Sequence, residues 1–109
     1  MNFRTFLAMA CGLMAASAAH AAPDPDAAQA LMRKSDCFKC HAVDKKKDGP
    51  PFKEVAKKYK GKAEAEDKLF KHITTSPTVE IDGKKEEHRQ IKTKDEGEIK
   101  NVVQWILSL

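Results

Sequence analysis

One short motif, Cys37-Phe38-Lys39-Cys40-His41, constrains this chain more than any other feature of its sequence. Two thiols three positions apart lie on one face of a helical turn, where each can add to one of the two vinyl groups along one edge of a haem. The imidazole that follows directly can then bind the iron from one side. The motif therefore predicts one covalently attached haem c, held by Cys37 and Cys40, with His41 as the proximal ligand.

A Cys-x-x-Cys pair has three other interpretations: a structural disulfide, a thioredoxin-like redox pair and half of a zinc site. A thioredoxin-like pair needs a βαβ context, and this sequence has no convincing strand pattern. Zinc needs four ligands, commonly with a close histidine pair, whereas His72 and His88 are sixteen residues apart. The histidine directly after the second thiol favours haem attachment over all three.

Residues 1–21 are predicted to be a cleaved secretory signal peptide. Arg4 supplies the positive region, and Phe6–Ala19 is an apolar stretch of small residues without a charge. Ala19-His20-Ala21 is a small-x-small cleavage site, with cutting expected after Ala21 or Ala22. The apolar stretch is short and rich in alanine for a membrane span, so an uncleaved anchor is the less favoured alternative.

Removal of this segment also removes Cys11, which leaves Cys37 and Cys40 as the only cysteines. A lipoprotein cleaved before Cys11 would have too little sequence ahead of the cleavage site. The two remaining thiols fit haem attachment, which in proteins of this kind takes place outside the cytoplasm. We therefore expect a periplasmic protein with one small monohaem domain, residues 22–109. A chain this short buries only a marginal hydrophobic core of its own. We therefore expect its folding to depend on the haem.

The distribution of charge is more informative than its sum. The whole chain is +4; without Arg4, nineteen basic residues face sixteen acidic ones, giving +3, and two haem propionates would bring this near +1. A lysine-rich zone beside a haem edge either steers an acidic redox partner or is simply a solvated helix face. Interleaved carboxylates, few aromatics and the lack of a reader motif argue against nucleic-acid binding. The zone comprises Lys45, Lys46, Lys47, Lys53, Lys57, Lys58, Lys60 and Lys62.

Apolar periodicity predicts short helices and little else. The last predicted helix is the clearest, because Thr93 and Glu96 form a capping box ahead of a complete apolar helical stripe. Trp105 lies beside that stripe. A long polar stretch, residues 74–91, contains Ser76-Pro77 and Asp82-Gly83 turn signals and is predicted to be a functional loop. The earlier helices are predicted at about 27–36, 52–59 and 63–74, and the stripe of the last consists of Ile99, Val102, Val103, Ile106 and Leu107.

These features resemble a small class I cytochrome c, most closely the short bacterial cytochromes c-551/552, also called c8. The likeness runs from about residue 27 to 109 and includes the haem motif, Gly49-Pro50, the segment 52–56 and the closing segment 105–109. It implies an all-α fold of four to five short helices wrapped round one covalently bound haem. It also implies that the Pro50 carbonyl accepts the Nδ1 proton of His41, and it places Trp105 at the cofactor.

The chain departs from this family at the distal ligand, which in the family is a methionine in the loop before the last helix. No methionine follows Met32, which stands five residues before Cys37 and is a poor candidate. His88 lies close to where the family's methionine stands relative to the closing tryptophan, so His88 is the expected sixth ligand. His72 stands near a position where the family often has a basic residue that bonds a haem propionate, which is one expected role for it; His72 is also an alternative sixth ligand. Further alternatives are Lys84, Lys85 or Lys92, and an open site.

The expected function is one-electron transport, with His/His ligation and a lowered reduction potential. Expected partners are other redox proteins, such as multihaem cytochromes and membrane quinone-linked or terminal oxidoreductases. The protein itself is expected to be a monomer without stable membrane insertion. A gas-binding or sensor protein with a labile distal ligand is the alternative function. An enzyme would need an open iron beside a positioned acid–base group, and only His88 could supply that group.

Overall fold

The computed structural model describes residues 22–109, and the predicted signal peptide lies outside them. This part of the chain forms five short helices and one small hairpin, which agrees with the helical architecture expected from the sequence. None of its helices combines the length and the apolar character that crossing a bilayer requires. In chain order the elements are α1 (Pro25–Lys34), α2 (Cys37–Cys40), α3 (Phe52–Tyr59), α4 (Ala65–Thr74), β1 (Thr78–Ile81), β2 (Lys84–Glu87) and α5 (Glu96–Leu107).

Helix α5 is the element on which α1, α3 and α4 all pack. Four residues of its predicted apolar stripe are buried and the fifth, Leu107, is partly buried against the core. Trp105 joins the buried residues. The start of the helix differs from the prediction by two residues. Asp95, rather than Thr93, is the N-cap, and its carboxylate accepts from Glu98 N at 2.9 Å. Asp95 directly precedes the helix, so its carboxylate takes the free Glu98 amide. Thr93 instead donates its hydroxyl to the Glu98 carboxylate at 2.8 Å.

Helices α1 and α2 are separate rather than one continuous helix. Asp24 caps α1 by accepting from Ala27 N at 3.1 Å, and Pro25 occupies the first turn, where its missing N–H is not needed. The helix ends at Lys34, and Asp36 takes a left-handed conformation with φ +62°. This break redirects the chain, so the attachment turn Cys37–Cys40 begins along a new axis.

The stretch predicted to be a structureless polar loop contains the hairpin of β1 and β2. Asp82 and Gly83 form its two-residue turn with φ +51° and +78°, and Ile81 pairs with Lys84 across it. Two positive φ values at an Asp-Gly turn match the twist of antiparallel strands. Strand β1 alternates exposed Thr78 and Glu80 with half-buried Val79 and Ile81, but over four residues only, and β2 is exposed throughout. So short a signal beside a wholly polar partner strand did not lead to a strand prediction.

The other helix predictions agree closely with the structure. Helix α3 has the predicted limits, and α4 begins at Ala65, two residues after the predicted start. On α4, Leu69 is buried, while Phe70 and Ile73 pack against the core as partly buried residues.

Met32 is a core residue, with none of its surface exposed. We expect Met32→Ala in the haem-loaded protein to lower the free energy of unfolding by about 2–5 kcal/mol, because the lost side chain leaves a cavity. Met32→Leu conserves volume and should cost less than about 1.5 kcal/mol. Guanidinium unfolding measures both. The ferric spectrum should not change in either variant, and a changed axial-ligand signature in Met32→Leu would contradict the core assignment.

Candidate haem-binding site

Helix α2 places the two thiols of the motif on one short turn. Cys37 and Cys40 are both free and half-buried, and Cys37 packs against the hydrophobic core. Burial raises the pKa of the Cys37 thiol to about 11, with smaller contributions from Asp36 and Cys40 in the same direction. A thiol of this kind is a poor nucleophile for disulfide exchange, which disfavours the redox-pair interpretation. Within residues 22–109, no three histidine, cysteine or acidic side chains are grouped so that they could hold a metal ion.

The His41 ring is fixed by a backbone carbonyl. Its Nδ1 lies 2.7 Å from the Pro50 oxygen, which is the hydrogen bond that the family resemblance implies. A carbonyl can only accept, so Nδ1 carries the proton and Nε2 keeps a free lone pair. The bond therefore orients the ring and makes Nε2 a stronger donor to a metal.

Gly49 lies against the face of the His41 ring. A Cβ added at Gly49 would stand 2.7 Å from Nδ1 and 2.8 Å from Nε2 of that ring, with the Cε1 carbon closer still. The Gly49 amide also donates to the Cys40 oxygen at 2.7 Å, which ties the loop to the attachment turn. The Gly49-Pro50 pair therefore has two roles: Gly49 leaves room for the His41 imidazole, and Pro50 supplies the carbonyl that accepts from its Nδ1.

Aromatic side chains support the proximal ring from inside the protein. His41 stacks on Phe52 with ring centroids 4.9 Å apart and planes inclined by 22°. Phe52 in turn meets Phe38 and Trp105 edge-on, at 6.0 and 6.4 Å. The helical periodicity marks Phe52 only as an apolar position; its place directly after Pro50-Pro51 is the sequence signal for its role beside His41. Trp105 reaches the site through Phe52, and its direct contact with the cofactor stays a prediction.

His88 lies just beyond β2 and faces the proximal histidine. Its backbone N–H donates to Pro77 O at 2.9 Å, and its Nδ1 lies 2.8 Å from Arg89 O. That carbonyl again requires a proton on Nδ1 and leaves Nε2 free. Burial lowers the pKa of His88, the hydrogen bond to Arg89 acts in the opposite direction, and His41 adds to the lowering. A neutral imidazole is the form that binds iron.

The separation of the two rings fits a haem iron between them. Imidazole nitrogens bind first-row metals at about 2 Å, so two imidazoles on opposite sides of one iron have centroids about 6 Å apart. The centroids of His41 and His88 are 6.1 Å apart, with planes inclined by 48°. Two imidazoles at this spacing, each with Nδ1 bonded to a backbone carbonyl, suit a six-coordinate haem.

The other candidates for the distal position are less well placed. His72, on α4, meets the His88 ring edge-on at 4.4 Å rather than facing His41. Burial, followed by His88, His41 and Lys58, lowers the pKa of His72. Lys92 pairs with Asp36 at 3.5 Å, and Lys84 and Lys85 are exposed on β2. The structure thus brings His72 beside the proposed ligand, a contact that the sixteen intervening residues conceal in the sequence.

The chain belongs to the cytochrome c family, whose profile matches residues 25–109. Family membership implies one covalently bound haem c. The fold is similar to that of class 1 cytochrome MtoD from Sideroxydans lithotrophicus ES-1, at 54% identity and a TM-score of 0.77 over 80% of this chain and 97% of that one.

Two curated relatives agree with this assignment. The chain is 42% identical to cytochrome c-551 of Allochromatium vinosum over 60 residues, which is 55% of this chain and 64% of that protein. It is 35% identical to cytochrome c-552 of Hydrogenobacter thermophilus over 79 residues, 72% of this chain and 78% of that protein. The match to the first relative thus spans less than two thirds of its length.

Gly49→Ala tests the close contact with the proximal ring. We expect the variant to lose about 1–3 kcal/mol of unfolding free energy, because the added methyl group displaces the His41 ring from Pro50. The ferric absorption and EPR spectra should change with it. Gly97→Ala, in the first turn of α5, is the control: the helix propensity of alanine is offset by a Cβ 3.2 Å from Asp95 Oδ1, so the free energy of unfolding should change by less than about 1 kcal/mol, with unchanged spectra. A Gly49→Ala spectrum identical to wild type would contradict the contact.

Proposed function

We propose that this protein is a periplasmic one-electron carrier whose haem is attached through Cys37 and Cys40 and whose iron is bound by His41 and His88. The observation that supports the ligand pair is the 6.1 Å separation of two imidazoles whose Nδ1 atoms are both bonded to backbone carbonyls. Family membership supports the haem and the electron-carrying role.

Haem c, when bound, supplies a one-electron Fe(III)/Fe(II) couple, and the polypeptide determines how that couple is tuned. Imidazole is a stronger donor than a thioether and favours ferric iron relative to a methionine ligand. The hydrogen bonds to Pro50 and Arg89 strengthen both imidazoles in the same direction. The reduction potential should therefore lie below that of methionine-ligated relatives with similar haem burial.

The same hydrogen bonds suit the protein to rapid electron exchange. The Pro50 and Arg89 carbonyls hold the rings in one orientation, so neither ring must turn when the charge on the iron changes. The stacking of His41 on buried Phe52 limits movement on the proximal side further. A carrier needs little more than this and a surface that permits brief contact with its partners.

The ligand assignment is tested by His88→Met with His72→Gln as its control. Wild-type ferric protein should give the low-spin EPR and near-infrared MCD signature of two nitrogen ligands, without a sulfur–iron charge-transfer band. His88→Met should convert this to a histidine–methionine signature. Its potential should rise by about 0.1 V or more, within the ~0.8 V range over which axial ligands set haem potentials.

The control variant separates the two distal histidines. His72→Gln should keep the signature of two nitrogen ligands, because His72 packs beside His88 rather than opposite His41. A wild-type spectrum retained in His88→Met but lost in His72→Gln would transfer the ligand role to His72. A five-coordinate wild-type iron would instead favour the gas-binding alternative.

We propose that the lysine-rich zone directs the protein to acidic redox partners, such as multihaem cytochromes or membrane-linked oxidoreductases. Its lysines are exposed, and Lys58 is close enough to His72 to help lower the pKa of that histidine. Lys53 also pairs with Asp44 at 2.6 Å, so not every lysine is equally available for docking. Electrostatic attraction of this kind raises association rates more than it raises affinity.

Ionic strength tests this docking surface. The rate of electron exchange with hexacyanoferrate should fall by about ten-fold between low and high salt, because salt screens an attractive field. Lys58→Gln should reduce the low-salt rate, and a cationic hexaammineruthenium probe should give the opposite salt dependence. Rates that do not vary with salt for either probe would contradict a steering role and leave the lysines as a solvated face.

A further inference from the structure

A cluster of ion pairs centred on Asp36 joins the start of the attachment turn to the segment that carries His88. The Asp36 carboxylate lies 3.0 Å from Arg89 Nη1 and 3.5 Å from Lys92 Nζ, both of which come from the distal segment. A third cation, Lys39, lies 3.4 Å away but belongs to the attachment turn itself. Two of the three pairs therefore cross from one side of the site to the other.

Arg89 connects this cluster directly to the distal imidazole. Its guanidinium donates to Asp36, and its backbone carbonyl accepts from His88 Nδ1 at 2.8 Å. The residue that orients the His88 ring is therefore itself held by a carboxylate 53 positions earlier in the chain. Because Asp36 directly precedes Cys37, this carboxylate extends from the same turn that holds the thiols.

The conformation of Asp36 directs its side chain to this contact. Asp36 is the N-cap residue of α2, yet its carboxylate makes no capping hydrogen bond. Its left-handed backbone, φ +62°, is a conformation that Asp and Asn tolerate better than most residues. The carboxylate thus leaves the helix start and reaches the distal segment.

The neighbouring residue joins the same two parts of the chain. Ser35 is buried, with 2% of its surface exposed, and its hydroxyl accepts from the Lys92 amide at 2.9 Å. Ile91, also buried, donates its amide to Ile73 O at 2.9 Å. These contacts fix the far end of the segment, and the Pro77 carbonyl holds the His88 backbone amide. Arg89 lies between these two anchors, and its side chain is held by Asp36.

We propose that Asp36 is a positioning residue for the distal ligand: through Arg89 it holds the His88 ring in its binding orientation and slows its departure from the iron. This inference rests on the proposed function, in which His88 is the sixth ligand. Its consequence is kinetic, since the ion pairs keep the distal position closed to small external ligands.

Carbon monoxide binding to the ferrous haem-loaded protein measures this effect. His88 must leave before carbon monoxide can bind, and a neutral probe is insensitive to the change in protein charge. Arg89→Gln should speed binding by about two- to five-fold, the range expected for the loss of one exposed ion pair. Asp36→Asn should speed it more, because it also removes the Lys92 pair, while Asn retains the tolerance for a left-handed backbone. Arg89→Lys keeps the charge and should restore most of the slow rate.

Two variants supply matched controls. Asp44→Asn removes the exposed ion pair with Lys53, which makes no contact with the distal segment. Lys39→Gln removes a partner of the same Asp36 carboxylate that lies on the attachment turn. Both should bind carbon monoxide at the wild-type rate. The double variant Asp36→Asn/Arg89→Gln should bind no faster than Asp36→Asn alone, because the two residues act through one contact.

The outcomes separate this inference from the function on which it rests. If wild type and variants give the ferric signature of two imidazoles but Arg89→Gln and Asp36→Asn behave like Asp44→Asn, the positioning role is overturned and the ligand assignment stands. If wild type has no second imidazole on the iron, both are overturned. Faster binding in both variants, with rescue by Arg89→Lys and unchanged controls, supports the inference.

Discussion

The orientation of the His41 imidazole is the constraint around which this small domain is organised. Three neighbours act on that ring at once. The Pro50 carbonyl accepts from Nδ1, Gly49 leaves space against one face, and the Phe52 ring stacks on it with centroids 4.9 Å apart. Phe52 in turn packs on Trp105, which belongs to the central helix α5. The hydrophobic core and the proximal side of the site are therefore one continuous structure, and a disturbance of either is transmitted to the other.

The distal side is built differently. The segment 88–92, which carries His88, contributes only Ile91 to the core. Polar contacts hold most of this segment in place. The backbone of His88 is bonded to Pro77, its ring to Arg89, and Arg89 to Asp36. Exposed ion pairs and single hydrogen bonds are individually weak, so this arrangement depends on several acting together. The proximal side is therefore held by the hydrophobic core, whereas the distal side is held by several polar contacts that act together.

The hairpin illustrates how a polar segment acquires structure without a core of its own. The Asp82-Gly83 turn provides positive φ values at both central positions, and the antiparallel register follows from it. Because the Pro77 carbonyl bonds to His88, the two ends of the hairpin are brought together at the site. The hairpin therefore brings His88 back beside the end of α4, where it meets His72.

The predictions from the sequence succeeded where a local rule applied. The helical stripe of α5 and the limits of α3 follow from apolar periodicity alone, and the hydrogen bond from His41 to Pro50 follows from family resemblance. They failed where competing local signals had to be ranked. Thr93 and Asp95 are both good N-cap residues, and the structure selects Asp95. The strands were missed because the alternation in β1 is limited to Val79 and Ile81, and β2 has no apolar residue at all.

What the sequence by itself determined is the chemistry that depends on residues close together in the chain. The spacing of Cys37, Cys40 and His41 is such a feature, and so is the absence of a methionine after Met32, which narrows the choice of sixth ligand. Only the tertiary structure decided which histidine faces His41, since His72 and His88 differ there by orientation rather than by type. The same holds for the contact between Asp36 and Arg89, because a pair 53 residues apart meets only after helices and hairpin have packed and brought distant backbone segments together.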